Sequence, residues 1–300
     1  MKHFLEISTL TRVEIENLIL KGLAFKQNKK FPAYPHLHVA QLFYENSTRT
    51  RVSFELAAKN LSLNVVNLDL STSSENKGET VADTVQTLAA MDIPYFVIRH
   101  QSNTLHLELS NRWTNGVQII NAGAGTYAHP SQALLDALTI YEHKKQFADL
   151  KIAILGDLRH SRVASSFQCL CRILGVKELA LIAPLVWQPE VVHYGYVTNN
   201  IKEGLAHADI IMCLRVQKER LLPEENLDID TYRKEFALTE AHLQYAKPEV
   251  MVMHPGPINR GVEIDSEVAD GNNSLILQQV KNGIYARMAI FDTLITSSRG

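Results

Sequence analysis

The chain has 300 residues, of which 46% are hydrophobic, and its formal net charge is −2. This length suffices for about two domains of roughly 150 residues, each with a core of its own. The nearly neutral balance argues against a nucleic-acid-binding protein, which usually carries a strong basic excess. We therefore expect a globular protein without a nucleic-acid partner.

The amino-terminal sequence and the cysteines bear on the cellular compartment. Glu6 lies inside what would have to be the apolar core of a signal peptide. No apolar run approaches the roughly 18 residues that span a membrane. Three cysteines, Cys169, Cys171 and Cys213, are too few and too oddly numbered for a disulfide framework. We expect a cytoplasmic protein with reduced structural thiols and no membrane partner.

Short apolar strands alternate with amphipathic helices along the first half of the chain. The predicted strands are 38–44, 64–70, 95–100 and 116–123, and the predicted helices are 50–61, 80–91 and 131–145. This alternation is typical of a parallel α/β sheet.

The same alternation restarts after a polar joint at 146–151. The predicted strands are 151–157, 178–184, 208–216 and 249–256, and the predicted helices are 161–174 and 274–296. Gly175 is expected to end its helix, and Gly283 is a candidate break in the last one. We infer an α/β fold with two domains, each a parallel-type β-sheet flanked by helices, and a boundary in the 130–151 region.

The first polar motif, Ser47-Thr48-Arg49-Thr50-Arg51, lies where a strand gives way to a helix. The N–H groups of a first helical turn have no partner within the helix, and the helix dipole there favours an anion. The hydroxyls add donors, and either Arg49 or Arg51 could fork onto a phosphate or carboxylate. An ordinary N-cap followed by solvated arginines needs only one hydroxyl, so the motif favours an anion site.

Two further segments of the first half are candidates. The loop 73–80 is polar and contains glycine, which is typical of a plain surface loop, but its Lys77 could contact an anion. His129 precedes Pro130 at the start of a helix, with Gln132 three residues on. A helix N-terminus disfavours imidazolium, so His129 is either a neutral hydrogen-bond donor or a structural histidine.

Three loops of the second half follow strands, and ligands of open α/β sheets bind at such strand ends. The loop 156–162 has Gly156 but not the other glycines of a dinucleotide fingerprint, so a carboxylate-binding arginine, Arg159 or Arg162, fits it better. The loops 215–220 and 254–261 are rich in charge and in proline and glycine, respectively. Each alone is equally compatible with an ordinary surface loop.

Taken together, these features indicate a site for anionic substrates. Cationic and hydroxyl donors recur at strand–helix junctions in both halves, whereas nucleophile motifs and convincing clusters of metal ligands are missing from the sequence. The expected catalysis is positioning and electrostatic stabilisation. We expect no metal and no cofactor.

In motif order and content the chain resembles the aspartate carbamoyltransferases, within the aspartate/ornithine carbamoyltransferase superfamily, along nearly all its length. The motifs that carry the resemblance are STRTR (47–51), KGET (77–80), IRH (98–100), HPSQALLD (129–136), GDLRHSR (156–162), RVQKER (215–220) and HPGPINRG (254–261). The first and fourth mark carbamoyltransferases in general, and RVQKER is the more specific for aspartate. Ornithine enzymes usually carry His-Cys-Leu-Pro where this chain has HPGPINRG.

The resemblance implies transfer of the carbamoyl group of carbamoyl phosphate to the α-amino group of L-aspartate, the second step of de novo pyrimidine (UMP) biosynthesis. It implies a carbamoyl-phosphate-binding domain at 1–135, on which a C-terminal helix at about 285–300 packs back, and an aspartate-binding domain at 136–284. Interdomain helices would join the two, and domain closure would bring the substrates together. The assembly would be a homotrimer with shared active sites, and a regulatory chain or a dihydroorotase is a further candidate partner.

The resemblance also assigns roles to residues. The catalytic groups would be Arg49, Thr50, Arg99 and His129. Carbamoyl phosphate would be bound by Ser47, Thr48, Arg49, Thr50, Arg99, His129, Gln132, Gly256 and Pro257, the last two through backbone carbonyls. L-aspartate would be bound by Lys77, Arg162, Arg215 and Gln217, and Ser73 or Ser74 would reach with Lys77 into a neighbouring subunit's site.

Two departures and three alternatives accompany this interpretation. Asn46 stands where many relatives have proline, and the loop 71–77 is short, which leaves Ser73 and Ser74 both open. The alternatives are a carbamoyltransferase for ornithine or an acylated ornithine, a non-catalytic homologue, and a nucleotide-binding oxidoreductase. The pair Arg162 and Arg215 favours a dicarboxylate over a cationic side chain.

Overall fold

The computed structural model describes residues 1–68, 78–113, 116–217, 220–221, 223–225 and 227–298. Within these ranges the chain divides into two compact units, Met1–Leu138 with Val280–Gly300 and Thr139–Gln279. The limits expected at 135/136 and 284/285 stay predictions. None of the described helices is both long and apolar enough to cross a membrane.

The first unit contains a four-stranded parallel sheet. Its strands are β1 (His38–Phe43), β2 (Asn64–Asn67), β3 (Tyr95–His100) and β4 (Gln118–Ala124), in the order β2-β1-β3-β4. Its helices are α1 (Arg12–Asn28), α2 (Thr48–Asn60), α3 (Val81–Ala89) and α4 (Leu105–Arg112). The helix α5 (Pro130–Lys144) runs across the boundary between the units.

Buried apolar side chains hold this sheet between helices. Residues 39–42 of β1 and 95–98 of β3 are buried, as expected for parallel strands covered on both faces. One packed cluster joins strand residues to α3 and α4 and consists of Ala40, Leu42, Val85, Leu88, Ile93, Phe96, Ile98, Leu109, Val117 and Ile119. The core therefore fixes the strand ends on which the candidate site depends.

The second unit contains a five-stranded parallel sheet. Its strands are β5 (Lys151–Leu155), β6 (Glu178–Ile182), β7 (Tyr196–Thr198), β8 (Ile210–Cys213) and β9 (Met251–Met253), in the order β7-β6-β5-β8-β9. Its helices are α6 (Arg162–Leu174), α7 (Ile201–Leu205), α8 (Ile229–Phe236), α9 (Glu240–Leu243) and α10 (Ser266–Ala269). The last helix, α11 (Ile276–Ser297), runs back across the boundary. Two parallel sheets flanked by helices confirm the predicted fold class.

Local signals explain where several elements begin and end. Ser161 caps α6 by accepting a hydrogen bond from the Ala164 N–H, and Gly175 ends it in the left-handed conformation, as predicted. The helix α1 is not among the predicted elements, although Thr11 and Glu14 form a capping box at its start. Strands β8 and β9 are shorter at both ends than the predicted 208–216 and 249–256.

The predicted break at Gly283 is wrong, because α11 continues through it. A Cβ atom at Gly283 would lie 2.6 Å from Nη1 of Arg287, one turn further on. Nη1 of Arg287 donates to the Gly283 carbonyl at 3.0 Å. The glycine thus makes room for a buried guanidinium and does not interrupt the helix.

Candidate active site

The STRTR motif occupies the junction between β1 and α2. Ser47 is the N-cap residue of α2, yet its hydroxyl makes no capping hydrogen bond to the first turn. Thr48 and Arg49 are exposed, whereas Thr50 is buried at 6% exposure. The junction thus presents first-turn N–H groups and hydroxyls, and the Ser47 hydroxyl is not used to cap the helix.

Arg99, the last residue but one of β3, lies directly beside this junction. Phe43 and Arg99 are paired across β1 and β3, and the Tyr44 N–H donates to the Arg99 carbonyl at 2.9 Å. Nε of Arg99 donates to Oε2 of Glu45 at 3.1 Å. The neighbouring carboxylate therefore orients the guanidinium at the same sheet edge as residues 47–50.

A tight turn after β4 places His129 at this edge too. The Ala124 N–H donates to the Ala128 carbonyl at 2.8 Å, and Gly125 has a φ of 45°. A Cβ at Gly125 would lie 2.7 Å from the Gln101 carbonyl oxygen, so the close turn requires glycine. His129, immediately before α5, is 5% exposed.

Gln132 lies in the first turn of α5 with its amide already oriented. Its Nε2 donates to Oδ1 of Asp136 at 2.9 Å, and both residues are buried. Because the amide nitrogen points to Asp136, the carbonyl oxygen of the same side chain points away from it. Gln132 can therefore act as an acceptor towards a substrate N–H group.

Arg287 is a buried cation behind this edge that the sequence interpretation missed. Its Nη2 donates to Oγ of Ser131 at 3.4 Å, and its guanidinium lies 4.8 Å from the ring centre of Phe54. Burial lowers its pKa to about 9; the charge of Asp136 opposes this shift and that of Arg99 adds to it. A lone arginine in an apolar helix segment was the available sequence signal.

In the second unit, the loops after β5 and β8 approach each other closely. The Leu214 N–H donates to the Leu155 carbonyl at 2.8 Å. Gly156 has a φ of 134°, and a Cβ there would lie 2.6 Å from the Leu214 carbonyl oxygen. Close packing therefore requires glycine at the start of the GDLRHSR loop, and no dinucleotide-binding role is needed to explain it.

Two residues of the GDLRHSR loop, the buried Asp157 and the half-buried His160, hold Gln217. Oδ2 of Asp157 accepts from the Gln217 N–H at 3.4 Å, and the His160 carbonyl accepts from Nε2 of Gln217 at 3.0 Å. Burial raises the pKa of Asp157, and the neighbouring His160 opposes that shift. The structure thus links the loop that leads to Arg162 with the strand end that carries Arg215.

Arg159 forms ion pairs with two glutamates of its own chain. Its Nε lies 2.8 Å from Oε1 of Glu225 and its Nη2 lies 2.6 Å from Oε1 of Glu190. Arg162, in contrast, is the first residue of α6 and is 7% exposed. Of the two arginines left open by the sequence, Arg162 has the better position for a ligand carboxylate.

The HPGPINRG loop follows β9, the neighbour of β8 in the sheet. Gly256 has a φ of 66°, and the peptide bond between Gly256 and Pro257 is cis. The Gly256 N–H donates to Nδ1 of His254 at 2.8 Å. This loop therefore lies at the same edge of the second sheet as Arg215 and Gln217.

Part of the predicted set lies outside the described residues. This applies to Ser73, Ser74 and Lys77, and to Lys218 and Glu219 of the RVQKER motif. Among the residues that are described, no three His, Cys, Asp or Glu side chains gather as they would around a metal ion.

Family models match both units. The model for the aspartate/ornithine carbamoyltransferase carbamoyl-P binding domain matches residues 2–142, and that for the Asp/Orn binding domain matches residues 148–294. The chain belongs to the aspartate/ornithine carbamoyltransferase family. The resemblance found from the sequence motifs is thereby confirmed.

Full-length relatives of this family are named aspartate carbamoyltransferase catalytic subunits. The chain is 63% identical to that of Legionella pneumophila (strain Lens) over 297 residues, which are 99% of this chain and 100% of the relative. It is 43% identical to that of Coxiella burnetii (strain Dugway 5J108-111) over 300 residues, covering 98% of this chain and 96% of the relative.

Solved carbamoyltransferase structures share the fold. Aspartate transcarbamoylase from Trypanosoma cruzi in complex with N-(phosphonacetyl)-L-aspartic acid superposes with a TM-score of 0.89 at 29% identity, over 97% of this chain and 94% of that one. Ornithine carbamoyltransferase from Pyrococcus furiosus superposes with a TM-score of 0.85 at 26% identity, over 97% and 96%.

Proposed function

We propose that the chain is an aspartate carbamoyltransferase, which transfers the carbamoyl group of carbamoyl phosphate to the α-amino group of L-aspartate. The products are N-carbamoyl-L-aspartate and phosphate, and the reaction is the second step of de novo pyrimidine biosynthesis. The observation that carries the choice of aspartate is the full-length identity of 63% to a relative named for this activity.

The first unit supplies the proposed carbamoyl phosphate site. Ser47, Thr48, Arg49 and Thr50 offer hydroxyls, N–H groups and a guanidinium to the phosphate at the start of α2. Arg99, held by Glu45, extends to both the phosphate and the carbonyl oxygen. The Gln132 carbonyl accepts from the carbamoyl NH₂ group, since its own amide nitrogen is bonded to Asp136.

The second unit supplies the proposed aspartate site. Arg162 and Arg215 bind the two carboxylates of the substrate, and Gln217 orients its α-amino group. The hydrogen bond from Nε2 of Gln217 to the His160 carbonyl supports this role because it orients the side chain, and the bond from the Gln217 N–H to Asp157 holds the backbone. The backbone carbonyls of Gly256 and Pro257 contact the carbamoyl NH₂ group.

The reaction follows from these positions. The neutral α-amino group attacks the carbamoyl carbon, and a tetrahedral oxyanion forms next to Thr50, Arg99 and His129. The C–O bond to phosphate then breaks, and the leaving phosphate accepts the proton of the amine. Removing one donor from such an oxyanion typically lowers the rate about 100- to 1000-fold.

The assembly is a further part of the proposal. A homotrimer in which Lys77 and Ser73 or Ser74 complete a neighbour's site accords with the motif KGET. The term "catalytic subunit" in the names of the relatives accords with further chains, such as a regulatory chain or a dihydroorotase.

The second candidate substrate is ornithine, because the matched family models and the structural neighbours include both kinds of enzyme. Two arginines at the candidate site argue against it, since they would repel a cationic side chain. The ornithine reaction is therefore the comparison that the assay must include.

The test is product formation by the purified chain from carbamoyl phosphate with either L-aspartate or L-ornithine. We expect carbamoyl aspartate, and about a 100-fold or greater loss of rate for Arg49→Ala. Arg51→Ala is the matched control, because Arg51 is exposed on the same helix and should leave the rate nearly unchanged. Turnover with ornithine alone, or with neither amine by a folded chain, would contradict the proposal.

A further inference from the structure

A fully buried histidine–glutamate pair stands behind the HPGPINRG loop. His254 is 1% exposed and Glu263 is 0% exposed, and Nε2 of His254 lies 3.2 Å from Oε1 of Glu263. Burying a carboxylate is costly unless hydrogen bonds compensate. The burial of this charged pair therefore needs an explanation, and the proline and glycine residues of the loop do not provide one.

The hydrogen bonds of the imidazole indicate which ring nitrogen carries the proton. Nδ1 of His254 accepts from the Gly256 N–H at 2.8 Å, so it carries no proton. The ring proton is then on Nε2, which donates to Glu263. A second proton on Nδ1 would face the Gly256 N–H and open the turn that leads to Pro257.

Glu263 extends this arrangement to a neighbouring strand end. Its Oε1 also accepts from the Asn259 N–H at 2.6 Å, and Nδ2 of Asn259 donates to the Val216 carbonyl at 3.3 Å. Val216 lies between Arg215 and Gln217 in the chain. One carboxylate oxygen, Oε1 of Glu263, thus connects the loop of Gly256 and Pro257 to the segment that carries Arg215 and Gln217 of the proposed aspartate site.

The charge of Glu263 acts on two buried ionisable neighbours, Cys213 and Tyr232. Burial raises the pKa of the Cys213 thiol well above its usual range, and the charge of Glu263 adds to this. Burial likewise raises the pKa of Tyr232, with Cys213, Glu263 and Asp157 contributing. The thiol and the phenol remain protonated neighbours and bring no competing charge.

We propose that Glu263, acting through His254 and Asn259, is a positioning residue that sets the Gly256–Pro257 carbonyls and the Arg215–Gln217 strand end in their mutual arrangement. It touches no substrate itself. The inference rests on the proposed function, because it takes these two segments to bind the carbamoyl NH₂ group and aspartate. Small displacements of positioned groups can lower the rate about 100-fold.

The kinetic test compares substitutions that keep or remove the acceptor. Glu263→Gln keeps an oxygen that can accept both N–H groups, so kcat and the KM for aspartate should remain close to those of the original chain. Glu263→Met has a similar length but no such acceptor, and we expect kcat/KM for aspartate to fall about 100-fold. The Kd for inorganic phosphate should not change, because residues 47–50 lie in the other unit. Glu267→Met, an exposed glutamate on α10, is the matched control.

A second substitution keeps the test valid if Glu263→Met does not fold. His254→Asn can still accept from the Gly256 N–H but cannot donate to Glu263, and it should also raise the KM for aspartate. Equal kinetics for folded Glu263→Gln and Glu263→Met, or for His254→Asn and the original chain, would overturn the positioning role.

Nuclear magnetic resonance of the ¹⁵N-labelled histidine rings gives a readout that is independent of activity. His254 should have its proton on Nε2 in the original chain and in Glu263→Gln, and the Nε2 resonance should shift in Glu263→Met because its hydrogen-bond acceptor is removed. A proton on Nδ1 in the original chain would refute the hydrogen-bonded arrangement. If the proton of His254 is on Nε2 and the chain shows no transferase activity, the proposed function fails while the hydrogen-bonded arrangement stands.

Discussion

Glu6 is a charged side chain that the first unit buries at 8% exposure. Its Oε1 lies 3.1 Å from Nε2 of His106, and its Oε2 accepts from the hydroxyl of Ser8 at 2.8 Å. The hydrogen bond from His106 is the largest cause that lowers the pKa of Glu6 below its ordinary value of 4.5, and burial opposes it. The ionised form is therefore favoured in the folded chain.

This lowered pKa predicts a pH-dependent contribution to stability. Because the folded pKa lies below the unfolded one, the contribution is present above pH 4.5 and is lost as the pH falls through the folded value. Glu6→Gln should lower the free energy of unfolding by about 1–3 kcal/mol at neutral pH. Urea unfolding at a series of pH values should show this difference shrinking in acid.

Glu16→Gln is the control for that measurement, because Glu16 forms an exposed pair with Arg12. An exposed pair contributes little, so its effect should be small at every pH. A Glu6→Gln difference that grows as the pH falls below 4.5 would contradict the assigned sign.

At the scale of elements, α11 shows that a glycine inside a helix can make room for a neighbouring side chain without interrupting the helix. A Cβ at Gly283 would lie 2.6 Å from Nη1 of Arg287 and 3.4 Å from Cδ2 of Leu135. Arg287 is 2% exposed and bonded to Ser131, so it cannot simply move into solvent. We therefore expect Gly283 and Arg287 to be energetically coupled.

A double-mutant cycle tests this coupling. Gly→Ala inside a helix ordinarily stabilises by about 1 kcal/mol, but Gly283→Ala should destabilise the chain because Arg287 must shift. In an Arg287→Met background the same change should stabilise it, since no guanidinium occupies the space. Urea unfolding of the four chains gives the coupling energy. Equal effects of Gly283→Ala in the two backgrounds would mean that the close approach does not matter.

The sequence predicted the elements better than the bonds between them. Strand and helix patterns are local, so β1, β3, α6 and the C-cap at Gly175 could be placed from spacing alone. The signal of α1 was equally local, since Thr11 and Glu14 mark its start. The role of Gly283 could not be found in this way, because it depends on which side chain the fold packs against it.

The same limit applies to the candidate site. The hydroxyls and arginines of the motifs could be predicted because strand ends in parallel sheets collect ligand-binding groups. The proposed role of Glu263 could not, since it depends on His254, Asn259 and, through Asn259, on Val216, which lies 47 positions earlier in the sequence. Buried partners of this kind become visible only when the chain is folded.

At the scale of the whole molecule, each unit contains a parallel sheet with candidate anion-binding groups at its carboxyl edge. The first unit carries Arg49, Thr50 and Arg99, and the second carries Arg162 and Arg215. Lys77 belongs to the same proposed site but lies outside the described residues. The assignment of Lys77 to a neighbouring subunit is therefore a question for solution experiments.

Mixing two inactive variants tests whether sites are shared. Arg49→Ala and Lys77→Ala should each lose nearly all activity, because each removes one cation from every site. If Lys77 acts in the neighbouring subunit, dissociation and reassembly of an equal mixture yields some sites with both cations intact. In a cyclic trimer formed at random, about a quarter of the sites have this composition.

The activity recovered after reassembly is therefore the measurement. Subunit exchange must be verified by mixing chains that differ in a tag, and each variant reassembled with itself is the control. Recovery of about a quarter of the original activity would support sites built across subunits. Verified exchange without recovery would place Lys77 in the site of its own chain, because no mixed trimer could then contain an intact site.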